Sequence, residues 1–263
     1  MTGGVMNLGR LLSDTARRLP ERTALVWREA SWTWAELDGR VNALVAALRA
    51  AGIAKGDRIL VQSRNSNQLF ESLWATWKLG AVWVPTNFRL TPPEVATMAR
   101  QCGARVVIYE DVFPDHADAA RAAAAVDLVV AIGEPRPGER SYEALVEESA
   151  GAGPFEAEVD YDDPCWFFYT SGTTGQPKGA VLTHGQMAFV INNHLADLMP
   201  GTGPDDASLV VAPLSHGAGA HALPRWRGAP SRCSCRARSW TRRRPGAWWK
   251  RTASPTSSRC RRS

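Results

Sequence analysis

Along the first 223 residues, short apolar runs alternate with helical stripes, and this alternation limits the possible folds more than any other feature. Leu8, Leu11, Leu12 and Ala16 share one helical face. Ala24–Trp27 and Trp32–Trp34 are short apolar stretches around a polar turn, as in a hairpin. Leu37, Val41, Leu44, Val45 and Leu48 mark a second helix, stopped by Gly52; Leu69, Phe70, Leu73, Trp74 and Trp77 mark a third, stopped by Gly80. Strands are expected at Arg58–Gln62, Ala81–Val84, Arg105–Tyr109 and Asp127–Ile132, with a helix started by the capping pair Thr91 and Glu94 and another near 114–125. Apolar runs of strand length separated by helices predict an α/β fold, a parallel sheet covered by helices on both faces.

Residues 7–150 are expected to form a first α/β subdomain. A Gly-, Pro- and acid-rich stretch at 151–164 reads as a linker, and 165–223 as the start of a second subdomain, with a strand at Cys165–Tyr169, a helix at Gly185–Met199 and a strand at Ala207–Ala212. From Pro224 the pattern fails: 224–263 contain no Leu, Ile, Val, Met, Phe, Asp or Glu. Such a segment has little to bury against the entropy of ordering, so disorder is expected there. The charge divides at the same point. Of the chain's 31 basic residues, 12 Arg and one Lys lie in this tail, leaving 18 against 26 acidic residues in the body. The overall charge of +5 therefore describes the tail alone, and the acidic body argues against a specific nucleic-acid partner. No apolar run approaches the roughly 20 residues of a membrane span, and no secretory leader is visible, so a cytoplasmic protein is expected. Cys233 and Cys235 lack the spacing and second ligand pair of a zinc site, and no metal-ligating set is expected.

The stretch that carries chemistry is Thr170-Ser171-Gly172-Thr173-Thr174-Gly175-Gln176-Pro177-Lys178-Gly179. It follows an expected strand, so it leaves the edge of a sheet where α/β proteins bind ligands. Its glycines allow close backbone approach, the hydroxyls of Thr170, Ser171, Thr173 and Thr174 add donors, and Lys178 adds a positive charge; together these suit a polyphosphate. It is not a Walker A loop, because Lys178 is followed by Gly rather than by Ser or Thr.

This stretch, with Phe167-Phe168-Tyr169 before it and Val181-Leu182-Thr183-His184 after it, resembles the phosphate-binding signature of the adenylate-forming superfamily, in particular acyl-CoA synthetases. Ser31–Leu37, Gly52–Ile59, Gly80–Thr91 and Pro213–Gly219 look like further landmarks of that family, and the likeness runs from about Asn7 to Leu223. The resemblance implies an N-terminal domain of the adenylate-forming fold, incomplete in this chain. It also implies a two-step reaction: a carboxylic acid and ATP give acyl-adenylate and pyrophosphate, then coenzyme A displaces AMP, with Mg²⁺ on the phosphates. Thr170, Ser171, Gly172, Thr173, Thr174, Gly175 and Lys178 would hold ATP, while His216 and Gly217 would lie beside the acyl carboxylate.

Nothing after Leu223 resembles the family's later landmarks: the Tyr-Gly-x-Thr-Glu segment, the ribose-binding Asp and the C-terminal Lys. No catalytic residue is therefore assigned, and an inactive fragment is expected. The tail itself reads as a shifted frame. A one-base shift forces Val from Trp248-Trp249, Glu from Trp249-Lys250 and Asp from Trp240-Thr241, and permits a family-like continuation from Arg225. The competing readings are a non-catalytic ATP- or acyl-binding module and a basic-tailed nucleic-acid or membrane binder.

Overall fold

The computed structural model describes residues 7–170, 177–201, 206–223 and 232–235. The chain opens with α1 (Arg10–Arg18), the hairpin of β1 (Thr23–Trp27) and β2 (Ala30–Thr33), and α2 (Trp34–Ala50). Then follow β3 (Arg58–Gln62), α3 (Asn67–Lys78), β4 (Val82–Pro85), α4 (Pro92–Cys102), β5 (Val106–Glu110), α5 (Pro114–Ala123) and β6 (Leu128–Ile132). After β7 (Arg140–Ser141) and α6 (Tyr142–Glu148), β8 (Pro164–Thr170) and β9 (Lys178–Thr183) lead into α7 (His184–Asn193) and a π-helical turn at His194–Leu198. The last elements are β10 (Ala207–Val210), α8 (Gly217–Ala222) and β11 (Arg232–Cys235).

Local chemistry sets the helix starts. Thr33 and Glu36 form a reciprocal capping box at α2: the Thr33 N–H donates to Glu36 Oε2 at 2.7 Å and the Glu36 N–H donates to Thr33 Oγ1 at 3.2 Å. Thr91 and Glu94 form another at α4, as the sequence predicts; prolines fill its first two positions, and Gly103, at φ 63°, ends it in the left-handed region.

A seven-stranded sheet runs in the order β7-β6-β5-β3-β4-β8-β9. Its side chains alternate between two cores. Ile59 and Val61 of β3 join the larger core while Leu60 joins the smaller; Val106 and Ile108 of β5 part from Val107 and Tyr109 in the same way. The larger core is rich in tryptophan. Trp83 and Trp166 meet edge to face at 4.9 Å across β4 and β8, and the Trp77 indole N–H donates to Cys165 O at 2.9 Å. Lys78 is buried among Ser13, Asp38 and Asn42.

The structure corrects three expectations. The sheet is not wholly parallel, because β9 runs antiparallel to β8. A hairpin return needs only a short connection, whereas a parallel neighbour would need a crossover. The stretch at 151–164 does not separate two sheets: β8 and β9 complete the sheet begun by β3 and β4, and the stretch is docked, with the Ala157 N–H donating to Lys78 O at 2.8 Å and the Asn7 amide donating to Ala157 O at 3.0 Å. Finally, the expected disorder of 224–263 fails at Arg232–Cys235. These residues form β11, parallel to both neighbours in a second sheet of order β10-β11-β1-β2. A ladder satisfies backbone N–H and C=O groups, which a segment without aliphatic residues supplies as well as any other. The rest of the tail lies outside the described residues.

Candidate nucleotide and acid site

β8 is an interior strand, and its C-terminal end delivers Tyr169 and Thr170. The chain returns at Pro177, and Lys178 opens β9 directly opposite Thr170 in the ladder. The ends of the phosphate-loop motif thus stand side by side, with a hydroxyl on one strand and an exposed ammonium on the next. Ser171, Gly172, Thr173, Thr174 and Gly175, the other residues assigned to ATP, lie outside the described residues. Lys178 is set into a strand, not into the loop the sequence suggests.

Beside this hairpin lies a cleft of about 140 Å³ lined by Pro85, Asn87, Leu90, Glu94, Met98, Tyr169, Thr170, Pro177 and His216. It joins three sequence regions: the turn after β4 with α4, the end of β8, and the segment before α8. Thr170 and His216, picked from separate motifs, therefore share one cleft. Gly217 is exposed at the first position of α8 and is not part of the lining.

His216 is held by its neighbours. Its Nδ1 lies 3.1 Å from Ser215 Oγ, and its ring packs against Phe168 with centroids 5.6 Å apart. The turn before it is closed by the His216 N–H donating to Pro213 O at 3.1 Å. Gly219 is required by close approach: a Cβ there would stand 2.2 Å from Leu214 O.

Burial pushes the Tyr169 phenol up to about 12, so it faces the cleft as a neutral donor. Glu94 is held below the usual carboxylate range by bonds from the Thr91 N–H and hydroxyl, both 2.7 Å, so its charge is committed to the helix cap. The donor set fits a triphosphate through Thr170 and Lys178, and an acid through His216 and the apolar wall of Leu90 and Met98. Among the described residues, no group of three or more His, Cys, Asp or Glu is placed to hold a metal ion. No described helix is long and apolar enough to cross a membrane.

Sequence reasoning missed Glu94 and Met98 as cleft residues, because their spacing reports only a capped, amphipathic helix. It also missed Asn65, which bonds the segment before His216 from the connection between β3 and α3.

Residues 12–252 match the sequence model of the AMP-binding enzyme family. The chain is 36% identical over 211 residues to indoleacetate–CoA ligase of Aromatoleum aromaticum, covering 80% of this chain and 41% of that protein. It is 37% identical over 182 residues to long-chain-fatty-acid–CoA ligase FadD13 of Mycobacterium tuberculosis, covering 68% of this chain and 35% of that one. The fold matches the anthranilate CoA ligase AuaEII, solved with anthranoyl-AMP, with a TM-score of 0.79 and 25% identity, over 86% of this chain and 44% of that one. The chain thus spans about two fifths of the length of these relatives.

Proposed function

Because the chain belongs to the AMP-binding enzyme family, we propose that it supplies the phosphate-binding and acid-facing part of an ATP-dependent acyl-CoA ligase. The observation that carries this reading is the shared cleft of Thr170 and His216, with Lys178 paired across from Thr170. In the proposed reaction a carboxylate oxygen bonds to the α-phosphorus of ATP, and the bond to the leaving pyrophosphate breaks. The thiol of coenzyme A then attacks the acyl carbon, and AMP departs.

In this reading each of the chain's own site residues has a role. Lys178 and the Thr170 hydroxyl bracket the phosphates, and Ser171, Gly172, Thr173, Thr174 and Gly175, which lie outside the described residues, are proposed as ATP-binding from the sequence motif. His216 borders the acid's carboxylate, Gly217 follows it just outside the cleft lining, and Leu90 and Met98 offer the apolar wall for the acid's body. Tyr169 stays neutral and donates without adding charge. Mg²⁺ carried on the phosphates would neutralise developing charge.

Indoleacetate, anthranoyl and long-chain fatty acyl groups in the relatives' names point to an acid with an apolar or aromatic body. A cytoplasmic location, where both ATP and coenzyme A are available, is part of the same proposal. We further propose that the 263 residues alone bind ATP but do not sustain adenylation at a family-like rate, because charge-stabilising groups that act as a unit are each worth roughly 10²–10³-fold. ATP–pyrophosphate exchange with a panel of aromatic and long-chain acids tests the proposal. The expected result is little or no exchange by this chain; robust exchange abolished by Lys178→Ala would overturn the claim of inactivity, and exchange indifferent to Lys178→Ala would overturn the site.

A further inference from the structure

The segment that carries His216 is clamped from a distant part of the chain. Asn65 lies between β3 and the Ser66 cap of α3. Its side-chain amide donates to Ala212 O at 2.9 Å, and its Oδ1 accepts from the Leu214 N–H at 2.9 Å. The two contacts fix the amide's orientation, since a carbonyl only accepts and a backbone N–H only donates. The pair reproduces one rung of a β-ladder, with a carboxamide in place of a strand.

That substitution has a reason in the sequence. Pro213 lies between the two clamped groups and has no N–H, so this stretch cannot offer a regular ladder edge. A single planar amide takes the carbonyl before the proline and the N–H after it. Beyond the clamp, the turn from Pro213 O to the His216 N–H carries the imidazole into the cleft. Leu214 is buried, but burial does not fix the rotation of the backbone about it; two directional bonds do.

We propose that Asn65 is a positioning residue: it orients the Pro213–His216 turn and so sets His216 against the acid in the cleft. This rests on the proposed acid-facing role of His216, but the clamp itself can be read without any substrate. In protein labelled with ¹⁵N at leucine and histidine, Asn65→Ala is expected to speed exchange of the Leu214 amide about tenfold or more and to move the His216 ring signals. The thermal midpoint should stay near wild type. Asn65→Asp keeps the acceptor for the Leu214 N–H but loses the donor to Ala212 O, so it should retain most of the amide protection while still moving the His216 ring signals.

The second arm measures binding of a benzoyl and a dodecanoyl acyl-sulfamoyl adenosine, each expected to weaken about tenfold in Asn65→Ala. Unchanged Leu214 exchange and His216 signals in both variants would overturn the clamp. A thermal midpoint that collapses in both would reduce Asn65 to a folding residue and also overturn it. Altered His216 signals with unchanged binding of both probes would leave the clamp standing and refute the acid-facing role of His216.

Discussion

Lys78 gives the sharpest test of how this fold balances buried charge. Its side chain is fully buried, and Nζ donates to Asp38 Oδ1 at 2.6 Å, Asn42 Oδ1 at 2.6 Å and Ser13 Oγ at 2.8 Å. Asp38 keeps 15% of its side chain exposed and also accepts from Ser13 Oγ and the Asn42 amide, both at 3.1 Å. The two partners are therefore not equivalent. Asp38→Asn leaves a cation sealed in the interior with only neutral partners, which is expected to cost about 3–5 kcal/mol. Lys78→Met leaves a carboxylate that reaches water and keeps two donors, so its cost is the loss of hydrogen bonds, about 1–3 kcal/mol. Urea unfolding followed by tryptophan fluorescence reads both. With a slope of about 2 kcal/mol/M, Asp38→Asn should lower the midpoint by about 2 M, and Lys78→Met by clearly less. A midpoint for Asp38→Asn equal to or above that of Lys78→Met would refute the asymmetry.

Burial holds His184 down at about 4, with its Nδ1 accepting the Leu8 N–H at 3.4 Å. Between that value and the unfolded value of about 6.5 the unfolded chain binds the extra proton, so this stability is whole above about pH 6.5 and lost as pH falls towards 4, a loss of about 3 kcal/mol. Urea midpoints from pH 7 to 4.5 should fall less steeply in His184→Gln, and equal slopes would refute the assignment. Gly219→Ala should displace the turn before His216, because its Cβ would meet Leu214 O, at a cost of about 1–3 kcal/mol; an unchanged thermal midpoint and unchanged His216 ring signals would contradict this. Thr33→Ala should cost about 1 kcal/mol by opening the α2 capping box, read in the same unfolding assay, and no change would contradict it.

Much of the fold was legible because its signals are local. The Arg58–Gln62 strand matches β3 at both ends, and Thr91 with Glu94 marked the start of α4. Elements without a local signal were missed. β7 is two residues long, and α6 is a single short helix whose buried Tyr142, Leu145 and Val146 are too few to show a period. β9 was not foreseen, because its first residues, Lys178 and Gly179, close the motif read as a loop, and its antiparallel pairing is set by the hairpin return. Likewise β11 is made by backbone pairing between two strands whose edges are open, which composition does not report. At the site, motif residues Thr170 and His216 were found, but Glu94, Met98 and Asn65 join them through topology alone.

Titration calorimetry of this chain with ATP, set beside Lys178→Ala, tests the central claim most directly. If Thr170 and Lys178 bracket the phosphates at the mouth of the cleft, the chain takes up one ATP, pyrophosphate competes with it, and Lys178→Ala weakens binding about tenfold or more, the roughly 1.5–3 kcal/mol of a bond to a charged group. Saturable ATP binding that is unchanged in Lys178→Ala, or the absence of any ATP binding by the folded chain, would contradict the account.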